Sequence, residues 1–159
     1  MNSGPKYSLL EAKQKLEAYC AYQERCELEI RKKLNSWRMY AEDIEILIAD
    51  LIVNRFLNEE RFAEAYVSGK TNIKRWGRIK IKQELKLRKI SDYSINKAIN
   101  AIDSEVYWNN LLHLTEKKIA LTKEKDSYKK RAKVYSFLAS KGYETDLIKE
   151  AYQEVLKAH

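Results

Sequence analysis

Apolar residues recur along this chain on two scales, one of three to four residues and one of about fifty. The short period is helical: Ile30 and Leu34, Ile81 and Leu85, and Val134 and Leu138 each lie four apart, on one helix face. The long period is a repeat. The series Leu28, Ile30, Leu34, Met39, Ile44, Leu51 returns 51 residues later as Ile79, Ile81, Leu85, Ile90, Ile95, Ile102. After a further 53 it returns as Ala132, Val134, Leu138, Tyr143, Ile148, Val155. Every position is apolar or aromatic and the internal spacing never changes, which marks a structural repeat.

Within each unit a break follows the central leucine, and a second amphipathic run begins: Ile44–Leu47–Ile48–Leu51, Ile95–Ala98–Ile99–Ile102, Ile148–Ala151–Tyr152–Val155. Ser91 and Thr145 stand where helix caps are needed, before Asp92 and Asp146. Gly142 can end a helix in the left-handed conformation. Arg38 and Lys89 hold the matching places in the other units, so those helices are expected to close differently. A further helix precedes each pair, near 8–21 (Leu9, Leu10, Ala12, Leu16, Tyr19), 59–70 (Phe62, Ala63, Tyr66) and 105–124 (Val106, Trp108, Leu111, Leu112, Ile119).

The expected architecture is therefore all-α: three tandem three-helix repeats over 8–56, 57–103 and 104–159, stacked into an elongated, curved body. Residues 1–7 read as a disordered tail. Composition agrees with an all-helical chain. Four Gly and one Pro, with Pro5 in the tail, leave too little turn chemistry for sheets, and 45% hydrophobic residues suffice for packed interiors. No apolar run reaches the length of a membrane span, and the N-terminus lacks the layout of a signal peptide. Cys20 and Cys26 match neither a disulfide framework nor a metal set, so reduced thiols and a cytoplasmic location are expected.

Charge changes the picture more sharply. Between Lys70 and Ile90 stand nine Lys and Arg residues against the single acid Glu84, a net of +8, which equals the net charge of the whole 159-residue chain. The remainder is neutral, so the positive field has an address, and its natural partner is a polyanion or a protein surface that carries one. Arg78, Lys82, Lys86 and Lys89 form one stripe beside Ile81 and Leu85, while Lys80 and Arg88 fall elsewhere on the helical projection. Lys70, Lys74 and Arg75 extend the candidate surface. Trp76 has two readings: a ring that stacks on a base or wedges into a protein groove, or a residue that fills the helix junction. Gly77 permits close backbone approach there. Lys129, Lys130, Arg131 and Lys133 make a weaker patch at the same corner of the third unit, read either as solvated surface or as an auxiliary contact.

Nothing in the sequence points to catalysis, to a metal or to any other cofactor. It has no Gly-rich phosphate loop and no His-Glu-x-x-His, His113 and His159 are isolated, and pairs such as Glu42–Asp43 and Glu59–Glu60 suit helix starts.

Leu57-Asn58-Glu59-Glu60-Arg61-Phe62-Ala63, then Trp76-Gly77-Arg78-Ile79-Lys80-Ile81-Lys82-Gln83-Glu84-Leu85 and Lys89-Ile90-Ser91, resemble the middle of the RecX family. Tyr22-Gln23-Glu24-Arg25-Cys26 with Glu29-Ile30-Arg31-Lys32-Lys33-Leu34 is similar to its first unit. Lys117-Lys118 and Phe137-Leu138-Ala139-Ser140-Lys141-Gly142-Tyr143-Glu144 are similar to its third. The resemblance covers about residues 10–156 and departs at Cys26, where many members have Ser, and at Arg38, where Gly is common. It implies three three-helix modules and a non-enzymatic, monomeric regulator of the recombinase RecA. Such a protein lodges along the groove of the RecA–single-stranded-DNA filament and inhibits ATP hydrolysis, strand exchange and co-protease activity. Double-stranded DNA is a further candidate partner. The residues alone leave two other readings open: a helical protein that binds nucleic acid by itself, and a helical scaffold for another protein.

Overall fold

A short polar side chain opens the first helix of every triplet. Ser8, Asn58 and Asp103 each accept a hydrogen bond from the backbone N–H three residues on, at Glu11, Arg61 and Val106 (3.2, 2.8 and 3.0 Å). Glu11 completes a capping box by accepting from the Ser8 N–H. The computed structural model describes residues 4–159. Its described residues form α1 (Leu9–Tyr22), α2 (Glu27–Ser36), α3 (Ala41–Val53), α4 (Glu59–Asn72), α5 (Arg78–Leu87), α6 (Asp92–Asn100), α7 (Ser104–Leu121), α8 (Ser127–Ser140) and α9 (Thr145–Ala158), with no strand among them.

The second helix of each triplet ends in the same way. Arg38, Lys89 and Gly142 all take the left-handed conformation, with φ of 56, 59 and 99°. Their N–H groups donate to Asn35, Lys86 and Ala139. The next residues, Met39, Ile90 and Tyr143, donate to the carbonyls of Leu34, Leu85 and Leu138. This is a Schellman motif repeated three times, and its apolar pair is the repeat skeleton itself. The expectation that Arg38 and Lys89 close their helices differently is thus corrected. The left-handed cost for an L-residue, about 1–2 kcal/mol, is small enough for the two carbonyl bonds and the apolar contact to offset.

Each triplet encloses its own core. Leu16, Ile30, Leu34, Leu47 and Leu51 are buried in the first, Ile81, Leu85 and Ile95 in the second, and Leu111, Val134, Leu138 and Ile148 in the third. The repeat skeleton is buried or half-buried except at its first position, where Ile79 and Ala132 are exposed. On the leading helices, Leu9, Leu10 and Val106 face solvent, and Tyr107, Leu111 and Thr115 are the buried residues of α7. Several side chains cross the expected unit boundaries: Cys26 and Leu28 join the second core, Leu57 the first, and Ile102 packs against the third as well as the second.

The three modules lie in a row. The accessible surface is 10268 Å², against the roughly 8,300 Å² of a compact monomer of this mass, so the body is extended. Residues 4–7 are not the loose tail expected. The Lys6 N–H donates to the Trp37 carbonyl (2.8 Å), the Gly4 carbonyl accepts from Arg38 Nε (3.1 Å), and Tyr7 packs edge-on against Trp37. Residues 1–3 lie outside the described residues.

Candidate polyanion interface

The basic stretch runs from the end of α4 through a five-residue link into α5, and the structure divides it into three groups. The first group belongs to the fold. Gly77, the N-cap of α5, meets Gly142 so closely that a Cβ at Gly77 would lie 2.2 Å from the Gly142 carbonyl carbon. A Cβ at Gly142 would lie 2.4 Å from that of Lys80. With neither present, the Gly77 N–H reaches the Lys141 carbonyl (2.7 Å) and the Ile79 N–H reaches that of Gly142 (3.0 Å).

Arg78 is drawn into this junction. Its guanidinium lies 3.8 Å from the Tyr107 ring centre and donates to Glu144 (2.8 Å), and its backbone N–H donates to the Tyr107 hydroxyl (2.9 Å). Tyr107 in turn donates to Glu144, and the Tyr143 hydroxyl donates to the Arg75 carbonyl (2.7 Å). Burial, followed by the bond to Glu144, pushes the Tyr107 phenol far above its usual range, and burial does the same to Tyr143. Because its carboxylate serves this network, Glu144 gives α9 no side-chain cap, and Thr145 is the first helical residue rather than the cap.

The second group is Lys82, Lys86 and Lys89, all exposed on one flank of the buried Ile81–Leu85 line. Lys89 also borders a cleft of about 420 Å³ between the first and second modules, with Arg25, Cys26, Leu28, Leu57 and Ile90.

The third group lies on the opposite flank of α5 and is built on rings. Lys70 and Lys80 stand 4.6 and 4.3 Å from the centre of the Trp76 ring. Lys70 and Arg88 stand 5.3 and 4.9 Å from Tyr66, and Arg88 pairs with Glu84 (3.1 Å). Lys74 is exposed beside them, and burial together with the charges of Lys74 and Arg88 holds the Lys70 ammonium below its ordinary range. Trp76 is half-buried against the second core, so it does fill the junction, and it also seats two cations there. Tyr66, Lys80 and Arg88 went unrecognised because a projection of α5 alone omits the ring that α4 and the link bring to its side.

The weaker patch is looser. Lys129 is exposed, Lys130 half-buried, Arg131 lies over the exposed Tyr128 ring (5.3 Å), and Lys133 pairs with Glu124 (3.4 Å). Both cysteines are free and buried, and burial pushes their thiols up to about 11. Among the described residues no group of three His, Cys, Asp or Glu could hold a metal, and no helix is long and apolar enough to cross a membrane.

Comparison with known proteins places this arrangement. Residues 58–99 match the sequence model of the second three-helix domain of RecX, and residues 105–152 that of the third. The chain is 26% identical over 148 residues to the regulatory protein RecX of Clostridioides difficile (strain 630), covering 92% of this chain and 69% of that protein. It is 34% identical over 132 residues to the regulatory protein RecX of Clostridium botulinum (strain Alaska E43 / Type E3), covering 82% and 61%. Against that of Bacillus thuringiensis (strain Al Hakam) it is 28% identical over 138 residues, covering 87% of this chain and 51% of the relative. The chain thus spans between half and seven tenths of the length of these relatives. The crystal structure of RecX from Lactobacillus salivarius superposes with a TM-score of 0.80 at 25% identity, covering 92% of this chain and 96% of that one. With two consecutive domains matched in order and the same three-module fold, this chain belongs to the RecX family.

Proposed function

We propose that this chain regulates the RecA recombinase. It binds the RecA–single-stranded-DNA filament along its groove, and it inhibits ATP hydrolysis, strand exchange and co-protease activity. The observation that carries the reading is the concentration of a net charge of +8 in the Lys70–Ile90 stretch of the middle module of an extended three-module RecX body. A row of modules can follow a helical groove across several protomers. A central positive surface answers the phosphates of the strand and the acidic groups of the protein around it. The protein acts by binding rather than by chemistry, as a monomer, in the cytoplasm where recombinase and DNA meet.

The test is RecA ATPase on preformed filaments with the protein titrated in. Inhibition at amounts well below one per RecA protomer is expected. No inhibition, or equal inhibition by a basic peptide of the same charge, contradicts the reading and favours simple masking of DNA.

A further inference from the structure

On the flank between first and second helices, each module seats two cations on one aromatic ring. In the first it is Tyr19, with Arg25 at 3.6 Å and Lys33 at 4.6 Å. In the second it is Trp76, with Lys70 at 4.6 Å and Lys80 at 4.3 Å. In the third it is Phe137, with Lys118 at 4.8 Å and Lys141 at 5.6 Å. The 51-residue shift that aligns the first two modules maps Tyr19 onto Lys70 and Arg25 onto Trp76. The contact therefore persists while ring and cation exchange places.

A staple between helix and link needs one cation on the ring. A second brings repulsion that something must answer. In the first module the answer is internal: Arg25 also donates to the Tyr19 carbonyl (2.9 Å), and the Glu29 charge acts on Tyr19. In the second module, Lys70, Lys74 and Lys80 have no ion pair among the described residues, and the nearby Glu84 is taken by Arg88. Glu84, already paired with Arg88, is the one carboxylate whose charge reaches Lys70, so like charge is gathered there in excess of its counter-charge. The three are lysines, point charges on flexible stems that can each meet a phosphate of a strand without the fixed fork geometry of arginine.

We propose that Lys70 and Lys80, positioned by the Trp76 ring, bind the phosphodiester backbone of a single nucleic-acid strand together with the neighbouring Lys74, and that Lys118 and Lys141 on Phe137 hold the same strand one module further. This rests on the reading of the chain as a filament-binding regulator and names its strand contact. Trp76 is a positioning residue: its ring fixes the two ammonium groups and so lowers the entropy lost when they meet phosphates. The Lys82–Lys86 flank of α5 is not the strand site.

The test is fluorescence anisotropy of a labelled oligodeoxythymidylate with the full chain, without RecA, over a salt series. Lys70→Ala with Lys80→Ala should weaken binding about tenfold near 0.1 M salt and lower the salt slope by about 1.4, the value for two single-strand phosphate contacts. Lys82→Ala with Lys86→Ala removes the same charge and should do clearly less. Trp76→Leu keeps every charge and an apolar plug, yet should weaken binding several-fold, with Trp76→Phe restoring part of it. Circular dichroism confirms that each variant is folded, and the lysine pair carries the test if Trp76→Leu does not fold.

Three results overturn the proposal: no binding by the wild type, equal loss from both lysine pairs, or no effect of a folded Trp76→Leu. Polyglutamate competing as well as the oligonucleotide overturns it in favour of an acidic protein surface. The two claims fail separately. If the wild type inhibits RecA ATPase while the lysine variant binds oligonucleotide normally, the strand site is wrong and the regulatory reading stands. The reverse pattern refutes the regulatory reading and keeps the site.

Discussion

At the junction of the second and third modules Gly77 faces Gly142; at the junction of the first and second, the 51- and 53-residue shifts put Cys26 and Lys89 in the matching places. The helix ends are alike, since Lys89 and Gly142 both close a Schellman motif. The side chains are not. Two glycines let the backbones touch, and the contact is sealed by the two carbonyl bonds to Gly77 and Ile79, the Arg78–Glu144–Tyr107 network, Tyr143 on Arg75, and Asn110 Nδ2 on the Thr71 carbonyl (2.9 Å). Between the first and second modules the one backbone–backbone bond that crosses among the described residues is the local one at the chain crossover, from the Leu57 N–H to the Leu51 carbonyl (3.1 Å). Arg61 clasps Glu24, Cys26 and Leu28 insert into the second core, and a cleft of about 420 Å³ remains beside Lys89. The lesson is that glycine at a C′ position answers to packing here and not to φ alone. Lys89 tolerates the left-handed conformation, but only a glycine leaves room for a neighbouring backbone. The second and third modules should therefore move as one body, with the first hinged to it.

The largest effect should be the same in every module, which isolates the junctions as the source of the difference. Leu34, Leu85 and Leu138 are fully buried, and each change to Ala should cost about 2–5 kcal/mol in denaturant unfolding. A neutral result at any one would remove the premise that the three cores are equivalent.

The junctions themselves should respond unequally. Gly142→Ala forces a Cβ against Lys80 and disrupts the carbonyl bonds at Gly77 and Ile79, which should cost about 2–4 kcal/mol, combining overpacking with lost hydrogen bonds. The melting temperature should fall by on the order of 10 °C. Lys89→Gly at the matching place should instead stabilise slightly, by roughly 0.5–1 kcal/mol, by relieving a left-handed lysine. If Gly142→Ala costs no more than about 1–2 kcal/mol, the cost of an L-residue in the left-handed conformation, φ and not packing sets the residue.

A smaller and more selective effect comes from pH. The phenols of Tyr107 and Tyr143 are raised in the folded chain, so the unfolded chain ionises first, at about pH 10. Their contribution is complete below that pH and is lost as pH rises toward the folded values. Melting temperatures measured from pH 9 to 11 should fall, and Tyr107→Phe should flatten that slope while lowering stability at pH 8. An unchanged slope would remove Tyr107 from the junction's energetics.

The comparison also explains what the sequence made legible. The skeleton and the nine helices of the described residues are readable because burial of one helix face leaves a local period, and the three Schellman leucines fall on it. The Arg78–Glu144 pair is not legible in the sequence, because the two residues lie 66 apart and no local pattern links them. Tyr107 was missed because Val106 and Trp108 satisfy the period equally well. The seating of Lys80 on Trp76 and of Arg88 on Tyr66 does not show in the period of α5, because those rings come from the link and from α4. Gly77 marks a place of close approach in the sequence, but what approaches it, Gly142, lies in the next module.

The most direct test of the two-body account is a pair of distance distributions from spin labels at exposed positions, Gln14 with Asn96 and Asn96 with Gln153, each residue changed to Cys. The native thiols of Cys20 and Cys26 are buried and raised to about 11, so they react slowly with the label. A narrow distribution is predicted between the second and third modules and a broad one between the first and second. Two equally narrow distributions, or a broad one across the Gly77–Gly142 junction, would contradict the account.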